Sequence, residues 1–363
     1  MKAFFLSHKK LHLWLLADLV LLAAFLLLRP VRPAMEFLAG AMARVRLAIA
    51  GLTYRTDVSV MEVLVAAAAA VSAGYLLWSV IAVCRARRHL RRLYTGVLGA
   101  VCGVLTAAVA CCYLWGVNFY VGGFQEQSGI YAEDVAVEDL YRVTAYFAEQ
   151  LGETADRVPR DETGLFRTSR RQILSRSTTV YDAVEAEFPF LAFDDKPPKA
   201  VRFSRLMSRL DFTGVYCPYT GESNVNMDSP VCLLPATVAH ELAHQRGLTS
   251  EQECNFLGVL ASVTSGDDVY AYSGWLLGYI HLGNALYTAD YDRWEQVYFS
   301  LPETVRLDME DNNAYWRQFE DTAVKEVSNQ VYDRFLKSYG QEDGMRSYGM
   351  VVDLLVAYYK DRI

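Results

Sequence analysis

Two histidines four residues apart, with a glutamate directly after the first, stand in the stretch Val238-Ala239-His240-Glu241-Leu242-Ala243-His244-Gln245-Arg246-Gly247. On a helix, side chains at i and i+4 share a face, so both imidazoles can converge on one metal ion while Glu241 reaches a water held by that ion. This is the outline of a hydrolytic zinc site: Zn2+ as cofactor, His240 and His244 as ligands, Glu241 as general base. Two histidines do not complete a tetrahedral site, which takes three protein ligands plus water. The next helix, entered at Ser250, offers the third. Its apolar stripe, Phe256, Leu257, Leu260 and Val263, leads back at the same phase to Glu253, so a carboxylate points to the core side. Glu251 instead shares a face with Asn255, Gly258 and Ser262, which reads as polar or solvent-facing. Glu253 is therefore the expected third metal ligand; the competing reading is a capping box, Ser250-x-x-Glu253, in which it only bonds the start of its own helix.

These residues need elements to hold them. Residues 231–239 are almost wholly apolar, Pro235 stands where a helix can begin and Gly247 where it should end. Burial of such a helix obliges its histidines and glutamate to find partners, because unpaired polar groups in a core cost several kcal/mol. Just upstream, Ala200–Ser204, 214–219 and 223–227 alternate like short strands. Such a β element either pairs its edge with an extended substrate or is a structural hairpin that touches none. Within it, Glu222 could orient a metal-bound histidine from behind, or be a plain turn residue. Tyr216 and His281 are candidates for the donor that stabilises an oxyanion, although a lone histidine in the apolar run Ser273–Leu286 also reads as a buried, hydrogen-bonded residue. In an oxidising compartment Cys217 could pair with Cys232 across fourteen intervening residues, pinning the loop into the histidine helix.

The chain has 363 residues and is 53% hydrophobic. The apolar excess lies in three runs, about 11–28, 63–84 and 96–117, each long enough to span a bilayer as a helix. A cleaved signal peptide is the alternative for the first, but Arg29-Pro30 follows where small residues should stand. Residues 1–116 hold thirteen Lys/Arg and four Asp/Glu, so of 35 basic and 42 acidic side chains, 22 and 38 fall in 117–363, a net charge of −16. That surface excludes nucleic acid as a partner and leaves the lipid bilayer and a peptide or protein substrate. Eight basic residues (Lys2, Lys9, Lys10, Arg85, Arg87, Arg88, Arg91, Arg92) against five in the first loop (Arg29, Arg32, Arg44, Arg46, Arg55) put the N-terminus in the cytoplasm, and three crossings put 118–363 outside. Beyond the membrane runs the texture is helical at Ala132–Leu151, Tyr181–Phe188, Tyr291–Phe299, Asp311–Leu336 and Tyr348–Tyr359, with a break at Gly340–Gly344.

Several segments together are more specific than the histidine motif. They are Trp115-Gly116-Val117-Asn118, Gly214-Val215-Tyr216-Cys217-Pro218-Tyr219-Thr220-Gly221-Glu222-Ser223-Asn224-Val225, His240 to Gln245, Ser250-Glu251-Gln252-Glu253-Cys254-Asn255-Phe256 and Val331-Tyr332-Asp333-Arg334-Phe335-Leu336. Through them the chain resembles the bacterial membrane proteins of domain-of-unknown-function family 3810, placed by resemblance among zincin-like metallopeptidases. The pairing of His-Glu-x-x-His with a later Glu-x-Asn-Phe-like helix also resembles glutamate-ligand zincins, which implies His240, His244 and Glu253 as ligands. The expectation is an α-rich chain: a membrane anchor, 1–117, with three transmembrane helices, and a mostly helical, zincin-like (α+β) extracytoplasmic domain, 118–363, with a small β element before the histidine helix. Its activity would be zinc-dependent peptide hydrolysis; the alternative is a non-catalytic membrane zinc-binding assembly or sensor protein.

Overall fold

The structure, a computed structural model, describes residues 7–132, 134–320, 323–339 and 348–363. It divides into two compact units, Met1–Val121 with Pro218–Gly221, and Gly122–Cys217 with Glu222–Ile363.

In the first unit the helices are α1 (Lys9–Leu28), α2 (Arg32–Thr53), α3 (Val60–Arg85) and α4 (His89–Leu114). The apolar runs become α1, α3 and α4, each long and apolar enough to cross a membrane, as in a membrane-anchored protein. Helix α3 buries none of its residues, and Val71, Leu76 and Leu77 are 71%, 60% and 63% exposed. An apolar surface of that extent is stable against lipid and costly against water. The two ionisable residues inside the first apolar run are partnered: His12 Nε2 lies 2.7 Å from the Tyr94 hydroxyl and Asp18 Oδ2 2.8 Å from that of Thr106.

Helix α2 occupies what reads in the sequence as a loop. Pro33 sits in its first turn, and Met35, Ala39, Arg46 and Ala50 form its buried stripe. Arg46, counted above among the loop charges, is buried because its Nη1 donates to the Leu114 carbonyl at 2.7 Å and its guanidinium lies over the Trp115 ring. The turn Pro218–Gly221 packs on this unit: Gly221, with φ 66°, brings its Cα so near that a side chain would stand 2.7 Å from the Arg46 carbonyl.

The second unit begins with α5 (Phe124–Ser128), α6 (Val137–Ala155), α7 (Arg170–Ser175) and α8 (Asp182–Glu187). After β1 (Lys199–Val201), α9 (Ser204–Arg209), β2 (Gly214–Cys217) and β3 (Glu222–Asn226) come α10 (Leu234–Gln245), α11 (Glu251–Thr264) and α12 (Asp268–Ala289). The chain closes with α13 (Tyr291–Ser300), α14 (Glu303–Arg317), α15 (Ala323–Ser338) and α16 (Tyr348–Tyr359). Helix α12, apolar nearly throughout, packs on α6, α10 and α11. The helix expected over Asp311–Leu336 is two helices, α14 and α15, with a turn at 318–320. The break expected at Gly340–Gly344 lies outside the described residues.

The sheet has the order β1-β3-β2, with β1 parallel and β2 antiparallel to β3. Central β3 is buried along its whole length, which obliges its polar side chains to bond. Glu222 does so by accepting from Lys199 Nζ at 2.5 Å. Both ends of that ion pair are sequestered, at 0% and 4% exposure.

Candidate metal centre

Helix α10 starts where Pro235 can occupy its first turn and stops before Gly247, whose φ of 92° is the left-handed conformation glycine adopts without a Cβ clash. It is clamped from several sides. Ser223 Oγ donates to the Glu241 carbonyl and the Tyr181 hydroxyl to that of Ala239, both at 2.9 Å. Arg246 lies over the Tyr181 ring and pairs with Asp195 and Glu185 at 2.7 Å each.

On this helix the Nε2 atoms of His240 and His244 are 3.1 Å apart. Behind them, His244 Nδ1 lies 2.8 Å from the Leu248 carbonyl, which can only accept, so Nδ1 carries a proton and, in the neutral ring that a metal takes, the lone pair is turned forward at Nε2. His240 Nδ1 lies 2.8 Å from Asn255 Oδ1, an acceptor that orients it in the same way. Two Nε2 atoms at this separation need a cation between them, a proton on one ring or a metal ion shared by both.

The third group is Glu251. Its Oε2 lies 3.2 Å from His240 Nε2 and its Oε1 3.6 Å from His244 Nε2. The three donors lie within 4.8 Å of one another. A tetrahedral zinc ion with bonds of about 2.0–2.1 Å holds its ligands about 3.3 Å apart, so the residues present fit it. Glu241, beside them, is 3% exposed, and its Oε2 meets no partner among the described residues. An orphaned carboxylate oxygen in a buried position is the arrangement expected of a group that works on a bound molecule.

Glu253, expected from the sequence as the third ligand, points elsewhere. Its carboxylate accepts from the backbone N–H groups of Phe124, at 2.9 Å, and Gln125, at 3.0 Å, at the start of α5. A Cβ on Gly123 would stand 2.6 Å from its Oε2. The capping box is half present: Ser250 Oγ accepts from Glu253 N, while the glutamate side chain serves a different helix. The polar stripe of α11 is the one turned to α10, because Gly258 lets the helices approach until a Cβ there would stand 3.1 Å from His240 N. Glu251 and Asn255 share that stripe, and the stripe is roofed by the histidine helix.

A family model described as protein of unknown function (DUF3810) matches residues 46–356. The chain belongs to that family. No curated protein and no solved structure matches it. The family match covers all of the residues gathered here: His240, Glu241, His244, Glu251 and Asn255.

One further residue of this DUF3810 chain was quoted above only for the resemblance. Tyr332, on α15, donates its hydroxyl to Glu251 Oε1 at 2.5 Å. A partner of that kind fixes a ligand's orientation, and its loss costs about 10–100-fold in metal affinity. Zinc titration of Tyr332→Phe against wild type is expected to show a loss in that range; unchanged affinity would remove Tyr332 from the site.

The other residues singled out in the sequence separate. Glu222 bonds Lys199, and since both Nδ1 atoms are served by Asn255 and Leu248, orienting a histidine is not its task. Tyr216 pairs with Ser223 and lies on the same face of β2 as Gly214, the face that meets Glu241: a Cβ on Gly214 would overlap Glu241 Oε1. His281 on α12 lies outside the ligand group, with Nε2 buried and no partner among the described residues. Cys217 and Cys232, which the sequence would allow to pair, are both free thiols. Cys232 instead directs its thiol to the Asp308 carbonyl, 3.8 Å away in α14.

The electrostatics follow the packing. Burial pushes the Glu241 carboxyl up to about 7 although His244 and His240 pull it down. Burial opposes the charged forms of Glu251 and His244 too, yet their mutual attraction prevails, holding Glu251 well below and, with Cys254, His244 well above the usual values. Burial, with His240 adding to it, lowers His281 to about 4.

Proposed function

We propose that this protein is a membrane-anchored, zinc-dependent metallopeptidase in which His240, His244 and Glu251 hold the metal and Glu241 is the general base. The observation that carries the reading is the convergence of two Nδ1-anchored histidines and a carboxylate beside a buried, orphaned Glu241. Zinc bound there supplies Lewis acidity, lowering the pKa of water and polarising a carbonyl. The chain's own groups do the rest. Glu241 takes the proton of the attacking water at its carboxylate and returns it to the departing amine. Asn255 and Leu248 keep the imidazoles aimed, and Tyr332 steadies Glu251. Strand β2 lies at the edge of the sheet and against Glu241 through Gly214, which sets an edge strand beside the catalytic carboxylate.

The count of eight basic residues against five, with the buried Arg46 one of the five, supports a second unit outside the cytoplasmic membrane. A peptide library incubated with the detergent-solubilised full-length protein tests the activity: cleavage that a chelator stops and added zinc restores is the expected outcome. Zinc bound stoichiometrically without cleavage of any library member would favour the non-catalytic assembly or sensor reading. Within the active reading, Gly214→Ala is expected to displace Glu241 and abolish cleavage at unchanged zinc content, since its new Cβ overlaps the carboxylate. Full cleavage by that variant would separate β2 from the catalytic group.

A further inference from the structure

Far along the chain from the histidine helix, the first unit holds a cavity of about 300 Å³ lined by Ser7, His8, Arg88, Arg91, Arg92 and Thr95. It forms where α3 ends at Arg85 and α4 begins at His89, so a link of three residues turns the chain at one end of the apolar bundle. Its polar floor is fixed. The Thr95 hydroxyl gives its proton to the Arg91 carbonyl at 2.9 Å, so His8 Nε2, also 2.9 Å from Thr95 Oγ1, is the donor of that second bond. His8 is 7% exposed and its Nδ1 lies 3.0 Å from Ser7 Oγ.

The charges around this floor are all of one sign. Among the described residues no carboxylate pairs with Arg88, Arg91 or Arg92, and the four acidic residues of 1–116 do not line the cavity. Three guanidinium groups, each a fork of N–H donors, match the oxygens of a phosphate. The first turn of the 26-residue helix α4, which has no side-chain cap, adds backbone N–H groups and the positive end of its dipole. Next to the arginines the same helix exposes Leu90, Leu93 and Val97, at 82%, 49% and 55%, with spacing that sets them along one side. A free phosphate has no use for such a strip, whereas an acyl chain does.

We propose that this cavity binds the phosphate of an anionic phospholipid, with Arg88, Arg91 and Arg92 as its contacts and the acyl chains laid along Leu90, Leu93 and Val97. Basic pockets between membrane helices recognise lipid headgroups in this way. The site is independent of the histidine centre and of any activity there.

The test uses full-length protein in a neutral detergent at physiological salt and measures binding of phosphatidylglycerol, phosphatidylcholine and inorganic phosphate. Phosphatidylglycerol is expected to bind, phosphatidylcholine much more weakly, and phosphate to compete poorly. The triple variant Arg88→Gln, Arg91→Gln, Arg92→Gln should weaken phosphatidylglycerol by about 100-fold, at about fivefold per arginine. The control, Arg85→Gln with Arg87→Gln, removes neighbouring charge that does not line the cavity and should change affinity by less than about threefold at this salt. Equal losses in the two variants would reduce the effect to general surface charge and overturn the site. Equal binding of the two lipids, or inorganic phosphate competing as well as the lipid, would overturn the lipid assignment.

Discussion

Under the proposed mechanism, Glu241→Gln is expected to bind zinc as wild type does and to lose peptide hydrolysis by about 100-fold or more, the scale on which removal of a general base acts. The substitution preserves size and a hydrogen-bonding head, so the 3% exposed site need not repack. It removes the one property the reaction uses, the capacity to accept a proton. Since Glu241 lies outside the group formed by His240, His244 and Glu251, the metal should be held as before. Burial raises the native carboxyl to about 7, and the amide carries no such charge to bury, so the variant should be no less stable than wild type. Equal cleavage by the two proteins, in a library where wild type is active, would show that Glu241 is not the base.

The second large effect separates two glutamates two residues apart. Glu251→Ala should lose zinc by more than the about 10–100-fold that follows removal of an orienting partner, because a donor 3.2 Å from His240 Nε2 disappears. Glu253→Ala should retain zinc and instead lower the stability of the second unit. Its carboxylate accepts two backbone hydrogen bonds at 2.9 and 3.0 Å, and losing charge-assisted bonds of that kind costs on the order of 2–4 kcal/mol in total. Metal analysis paired with denaturant unfolding reads both. Zinc loss in the Glu253 variant with retention in the Glu251 variant would reverse the assignment.

That reversal is the assignment the sequence favoured, and the reason is instructive. Helical phase correctly divided α11 into an apolar stripe ending at Glu253 and a polar one carrying Glu251 and Asn255. The wrong step was to equate polar with solvent-facing. A stripe that meets another helix across a polar centre is covered yet hydrophilic, and Gly258, seven residues after Glu251, was the visible sign that a backbone comes close. Conversely, an inward-pointing carboxylate need not meet a cation: the start of a short helix, α5, gives Glu253 two N–H donors, and that partner is 129 residues away in the chain.

Elsewhere the legible parts were those with a strong local period. The three apolar runs and the bounds of α10, marked by Pro235 and Gly247, required only the sequence. Helix α2 was hidden because five arginines between 29 and 55, three of them (Arg32, Arg44, Arg46) within the helix, invited a loop, although Arg46 is satisfied by a carbonyl and an aromatic face. Tyr332 could not be placed at the histidines from sequence, since it arrives from α15, 81 residues after Glu251.

Anomalous scattering at the zinc edge from crystals of the full-length protein tests the metal centre most directly. The expected result is a single peak between His240 Nε2, His244 Nε2 and the Glu251 carboxylate, about 2.0–2.1 Å from each bound atom. A zinc-loaded crystal with its peak elsewhere, or with Glu251 turned away from the ion, would contradict it.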